Sequence, residues 1–152
     1  MTQARAGDFA TPEALQDFGA RLGRRLRPGD VVTLEGGLGA GKTTLARGML
    51  RGLGYTGEVP SPSYAILQGY APPDVSLPVG HVDLYRIDDP REIDELGLDD
   101  WLDGGALVVE WPDRLGGRYG GSALAITIAA ADDGSRLLTA RVPAVWEGRW
   151  PA

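Results

Sequence analysis

A chain of 152 residues, 43% hydrophobic and 24% charged, is sized for one domain that buries roughly 70% of the surface its unfolded form exposes. The absence of cysteine excludes disulfides, zinc–thiolate sites and cysteine nucleophiles, and the single histidine, His81, excludes a multi-histidine metal site. A net charge of −6 argues against a broad basic nucleic-acid surface; with no apolar run of membrane-spanning length and no secretory leader, a cytoplasmic protein is expected.

Residues 1–10 read as a loosely ordered lead-in. Thr11-Pro12-Glu13 is a helix start, with a capping hydroxyl, proline in the first turn and an early carboxylate, and Leu15, Phe18, Leu22 and Leu26 follow as one apolar stripe. Arg21, Arg24, Arg25 and Arg27 cluster on this segment, either as its solvated side or as a docking patch for an acidic partner. Pro28-Gly29-Asp30 ends the helix. Val31 to Glu35 is an apolar, β-branched run that reads as a buried strand, and Leu45, Ala46, Met49, Leu50 and Leu53 repeat at helical spacing until Gly52 to Gly54.

Between that strand and that helix lies Gly36-Gly37-Leu38-Gly39-Ala40-Gly41-Lys42-Thr43, then Thr44, which fits the phosphate-binding pattern G-x-x-x-x-G-K-[ST] in the strand–loop–helix context that the pattern requires. Glycines let the backbone curl so that its N–H groups converge on phosphate oxygens, and the helix start adds a positive dipole end. Lys42 is suited to the β- and γ-phosphates, and the Thr43 hydroxyl to Mg²⁺. The fifteen basic residues are fourteen arginines and one lysine, and the lysine is Lys42. A nucleoside triphosphate is the expected ligand. No N-K-x-D-type guanine reader occurs in the chain, which favours ATP.

Beyond the loop, Pro60-Ser61-Pro62-Ser63-Tyr64 is too proline-rich for regular structure, Ala65 to Tyr70 and Val79 to Tyr85 read as strands, and Asp89-Pro90 starts a short helix that Gly97 ends. Leu98 to Leu102 is one more helical turn. Ala106 to Glu110 has the pattern of a central strand ending in a carboxylate, and Pro112 to Ser122 is a glycine-rich loop. Leu124 to Ala129 and Leu137 to Val142 suit a hairpin across Asp132-Asp133-Gly134. Residues 143–152, with Trp146 and Trp150, read as a packed tail or a loose end. The expected fold is α/β: a single domain over 1–152 with a mostly parallel sheet of the P-loop NTPase kind, helices on its faces and antiparallel strands added at the C-terminal end.

Hydrolysis or transfer also needs a metal-positioning carboxylate and a group that places the nucleophile. Glu110 occupies the position of a Walker B acid, and Asp83 sits inside His81-Val82-Asp83-Leu84-Tyr85-Arg86. From the residues alone, a strand-end acid can equally cap a helix or pair with an arginine. His81 can be a satisfied core histidine, Tyr85 and Trp111 core aromatics, and Arg86 a salt-bridge partner.

The order of these motifs adds information. The glycine loop, then Ser61-Pro62-Ser63-Tyr64, then His81-Val82-Asp83-Leu84-Tyr85-Arg86, then Glu110-Trp111-Pro112 resembles the TsaE (YjeE) family over about residues 11–115. The resemblance implies a bacterial P-loop ATPase needed for threonylcarbamoyladenosine modification of tRNA and docking on a TsaD–TsaB pair, while the acidic balance predicts that tRNA itself is touched only indirectly. The resemblance also implies that Lys42 and the loop residues Gly37, Leu38, Gly39, Ala40, Gly41, Thr43 and Thr44 hold ATP, joined by Thr11 and, from the C-terminal strands, Arg136. Thr43 and Glu110 would hold Mg²⁺, Asp83 would orient the attacking water, and Ser61, Pro62, Ser63 and Tyr64 would form a γ-phosphate-sensitive switch loop. His81, Tyr85, Arg86 and Trp111 would support the site or face a partner. Two departures stand out: Ser63 replaces a usual threonine and keeps a hydroxyl, and Gly37 replaces a common aspartate. The competing readings are a P-loop small-molecule kinase and a non-enzymatic nucleotide switch.

Overall fold

The computed structural model describes residues 2–37, 39–60 and 66–151, with the side chains of residues 2–6 excepted. Its strands are β1 (Thr2–Phe9), β2 (Val31–Glu35), β3 (Leu67–Tyr70), β4 (Val79–Asp83), β5 (Ala106–Glu110), β6 (Leu124–Ala130) and β7 (Arg136–Val142). Its helices are α1 (Pro12–Gly23), α2 (Lys42–Gly52), α3 (Pro90–Glu95) and α4 (Leu98–Leu102). All seven strands form one sheet in the order β1-β7-β6-β2-β5-β4-β3. Strands β6, β2, β5 and β4 run parallel, while β3 on one edge and β7 with β1 on the other are antiparallel. The mixed α/β fold with its parallel centre is the one expected.

The centre is covered on both faces: all five residues of β4 and of β5 are buried, as are the first four of β2, and the runs are apolar apart from Thr33, His81, Asp83 and Glu110. In β6, by contrast, burial largely alternates, since only one face carries helices. One core joins Leu15, Phe18 and Leu22 of α1 and Leu45, Met49 and Leu50 of α2 to Val32, Leu34, Val108 and Ile126 of the sheet. On the reverse face Ile93 of α3 and Leu98 of α4 pack with Leu115 on Val82, Leu107 and Val109. The start of α1 follows from local chemistry, with Ala14 donating its N–H to Thr11 Oγ1 at 3.1 Å over Pro12 in the first turn.

Helices α1 and α2 approach backbone to backbone. A Cβ on Gly23 would stand 2.1 Å from the Met49 carbonyl oxygen, and one on Gly48 would stand 2.1 Å from that of Gln16. Gly19-x-x-x-Gly23 and Gly48-x-x-x-Gly52 therefore form two facing glycine stripes, and the residue pairing shows that the helices run parallel. Both N-termini consequently lie at the same edge of the sheet. Gly48→Ala is expected to lower stability by about 2–3 kcal/mol through overpacking against an immovable carbonyl. Gly121→Ala, with open space around its Cβ, should be nearly neutral. Chemical denaturation of both variants checks this.

The segment expected as a loose lead-in is a strand. Residues 2–9 pair with β7 from Thr2↔Val142 to Phe9↔Arg136, with a bulge between Arg5 and Gly7 where Gly7 takes φ 113°. Backbone pairing on an open sheet edge supplies the order that the side-chain pattern of this segment does not announce. Residues 143–151 pack on the body. Trp146 is fully buried in the main core and Trp150 lies edge-on to Phe18 at 5.6 Å. Arg21 donates to the Pro151 carbonyl at 2.6 Å and Arg25 to that of Arg149 at 2.9 Å. Two members of the arginine cluster thus clasp the tail. The tail's own Arg149 forms a buried, two-pronged ion pair with Asp30, at 2.7 and 3.0 Å, at the foot of β2. Among the described residues, no helix is long and apolar enough to cross a membrane.

Candidate functional site at the P-loop

Parallel β2, β4 and β5 end at one edge of the sheet, and the glycine loop leaves β2 at that edge before turning into α2. Gly39 (φ 76°) and Gly41 (φ 113°) adopt the left-handed conformation that this turn needs, and Gly41 is the N-cap of α2. It offers no side-chain cap, and no acid stands in the first turn, so the leading N–H groups of α2 point outward without a side-chain partner. Gly36 is required for packing instead: a Cβ there would meet the Ile128 carbonyl oxygen at 2.5 Å. Gly37 has open space and an ordinary φ, so the residue replacing the family's aspartate is not forced by sterics. Leu38 lies outside the described residues.

Lys42 opens α2 and is only 6% exposed. Its Nζ donates to the Gly36 carbonyl at 2.6 Å and to that of Gly37 at 3.1 Å, and lies 4.3 Å from the centre of the Trp111 ring. Burial lowers the Lys42 pKa, and the nearby Glu110 and Asp83 carboxylates oppose that effect. Thr43 and Thr44 are half-buried in the same first turn.

The two predicted acids arrive by strand register. Glu110 closes β5 and Asp83 closes β4, and the two are direct partners in the parallel ladder, with Leu34 of β2 on the other side of Glu110. Both carboxylates are buried, at 3% and 5% exposure. Asp83 Oδ1 accepts the Tyr85 N–H at 2.9 Å, which fixes the turn after β4. His81, fully buried, places Nε2 at 2.6 Å from Glu110 Oε2. Trp111, at φ 59°, turns the chain out of β5 and lies over Lys42, while Tyr85, 44% exposed, stacks on it at 4.8 Å. Arg86 is exposed in the turn after β4.

Arg136 begins β7 at the same edge and donates to the Gly39 carbonyl at 3.2 Å, so the C-terminal hairpin does reach the loop. Thr11 spends its hydroxyl capping α1, one turn before Leu15, whose side chain lies against Gly41. Ser61, Pro62, Ser63 and Tyr64, read above as the switch loop, lie outside the described residues. Lys42, Asp83, Glu110 and His81 come together, then, with Trp111 and Tyr85 flanking them. The Gly36 carbonyl that holds Lys42 was not foreseen, nor were the facing glycine stripes that put both helix N-termini here. The four-residue spacing of glycines inside two helices was the available clue.

A cleft of about 540 Å³ lies elsewhere, on the reverse face of β2, β6 and β7, and is lined by Thr33, Thr127, Thr139 and Arg141. Nucleotide phosphates are held by a surface concavity of backbone amides, so the size of a cleft does not locate the site.

The comparisons agree with this geometry. Residues 9–138 match the family described as "Threonylcarbamoyl adenosine biosynthesis protein TsaE". A TsaE protein of Bacillus subtilis (strain 168) is 44% identical over 114 residues, covering 74% of this chain and 70% of the relative. One from Mycobacterium leprae (strain TN) is 39% identical over 140 residues, covering 88% and 81%. Both are named as tRNA threonylcarbamoyladenosine biosynthesis proteins. The crystal structure of YdiB from Bacillus subtilis superposes with a TM-score of 0.80 at 33% identity, covering 97% of this chain and 91% of that one. The chain belongs to the TsaE family of tRNA threonylcarbamoyladenosine biosynthesis.

Proposed function

We propose that this protein is a Mg²⁺-dependent ATPase that supports turnover of a TsaD–TsaB-type threonylcarbamoyl transferase and meets tRNA only through that complex. One juxtaposition supports the reading above all. The N-terminus of α2, without a side-chain cap and led by Lys42, opens onto Glu110 and Asp83 at the adjacent strand ends. Converging amides and a lysine suit a polyphosphate, and hard oxygen donors suit Mg²⁺.

In this mechanism the amides of residues 39–44 take up phosphate oxygens. Lys42 exchanges the Gly36 and Gly37 carbonyls for β- and γ-phosphate oxygens. The Thr43 hydroxyl and the Glu110 carboxylate are the groups that would hold Mg²⁺, which when bound neutralises charge on the phosphates. Asp83 orients the attacking water and takes its proton as the new P–O bond forms and the bond to the bridging β–γ oxygen breaks, leaving ADP and inorganic phosphate. Arg136, tied to the Gly39 carbonyl, braces the loop from the hairpin side. Tyr85 and Trp111 form an exposed aromatic step beside Lys42, suited to a protein partner that senses the occupied loop.

The test is ATP hydrolysis by the purified protein, alone and with the TsaD–TsaB pair. Slow turnover alone and a clear rise with the pair is the expected result. Equal rates in both mixtures would break the link to that complex.

A further inference from the structure

We infer that His81 is a positioning residue that aims the Glu110 carboxylate at the metal, an inference resting on the reading of Glu110 as the Mg²⁺-holding acid. His81 and Asp83 are two apart on β4 and so lie on one face of the sheet. Register puts Asp83 beside Glu110 and His81 beside Val108, one step deeper. From there the ring reaches up to Glu110, Nε2 to Oε2 at 2.6 Å. A carboxylate can only accept, so Nε2 carries the hydrogen and donates. The other ring nitrogen, Nδ1, is buried and has no hydrogen-bond partner among the described residues. Among those residues the imidazole directs its hydrogen bonding to Glu110. An apolar side chain would suit this position better, since Val79 lies two residues away on the same face of β4 and Val108 is its partner on β5.

The consequence for Glu110 is directional. The Glu110 charge lies near enough to Lys42 to offset part of the lowering that burial imposes on the lysine, and an unrestrained glutamate would swing toward that ammonium. With Oε2 held by His81, the carboxylate plane is fixed and Oε1 is left to serve as a metal ligand. Partners of this kind, behind a ligating group, tune metal affinity without touching the metal.

The experiment titrates Mg²⁺ into the protein with a non-hydrolysable ATP analogue, reading nucleotide binding by calorimetry for wild type, His81→Leu, His81→Gln and Glu110→Gln. His81→Leu should weaken the Mg²⁺ dependence by about 10–100-fold, with metal-free analogue binding nearly unchanged. His81→Gln, which keeps an N–H near the Nε2 position, should recover most of it. If His81→Leu does not fold, His81→Asn, whose shorter amide cannot reach Glu110, takes its place. A shift in Glu110→Gln with none in His81→Leu, or Gln behaving like Leu, would overturn the inference alone. No shift in Glu110→Gln would overturn the metal-ligand reading of Glu110, and the inference with it.

Discussion

Lys42→Ala should reduce ATP turnover by on the order of 10²–10³-fold, the cost of removing a preorganised positive donor from the charge that develops at the phosphates. The same change should leave the melting temperature nearly unaltered. Lys42 sits 6% exposed, and burial disfavours its charged form enough to outweigh the attraction of Glu110 and Asp83. Its hydrogen bonds go to the Gly36 and Gly37 carbonyls, the acceptors it would exchange for phosphate oxygens in the proposed mechanism. A residue whose charge is held against the cost of burial contributes to function rather than to folding. Steady-state hydrolysis and a thermal melt on the same preparation separate the two. Loss of activity accompanied by a collapse of the melting temperature would assign Lys42 a structural role instead.

Arg149→Ala should cost about 3–5 kcal/mol of stability, because it strands a buried carboxylate. Asp30 is 7% exposed, and Arg149 supplies both of its guanidinium hydrogen bonds. The arginine also binds the Arg25 and Val145 carbonyls and lies 4.1 Å over the Trp146 ring, so the tail depends on it as well. Replacing both partners, as in Asp30→Leu with Arg149→Met, should cost less than the sum of the single changes, since neither charge is left unpaired. Urea unfolding of the single variants and the pair gives this comparison. Additive losses would show that the two side chains act independently. Because Asp30 lies at the foot of the strand whose far end carries the P-loop, the single variants should also loosen nucleotide binding.

The P-loop was legible because it is local: strand, glycines and helix are contiguous, and each residue type has a steric or electrostatic reason at its own position. Glu110 and Asp83 were legible as strand-end acids, and their side-by-side placement follows once β4 and β5 pair in parallel. The contact of His81 with Glu110 was not, since it depends on the register between residues 29 positions apart. The first strand escaped notice for a related reason. Residues 2–9 lack a β-branched run, and their order comes from an open edge on β7, 130 or so residues away. The arginines in and just after α1 suit surface or docking charge in the sequence, but Arg21 and Arg25 hold the C-terminal tail, a partner that only the folded chain brings near. Trp146 and Trp150 left packed and loose ends equally open in the sequence, and burial decides for the first.

The most direct test follows modified tRNA made by a reconstituted TsaD–TsaB pair with this protein and threonylcarbamoyl donor, comparing ATP with a non-hydrolysable analogue. Repeated turnover with ATP, and a halt after about one modified tRNA per complex with the analogue or with Lys42→Ala protein, is the predicted result. Equal yields under all three conditions would contradict a role for ATP hydrolysis at this site.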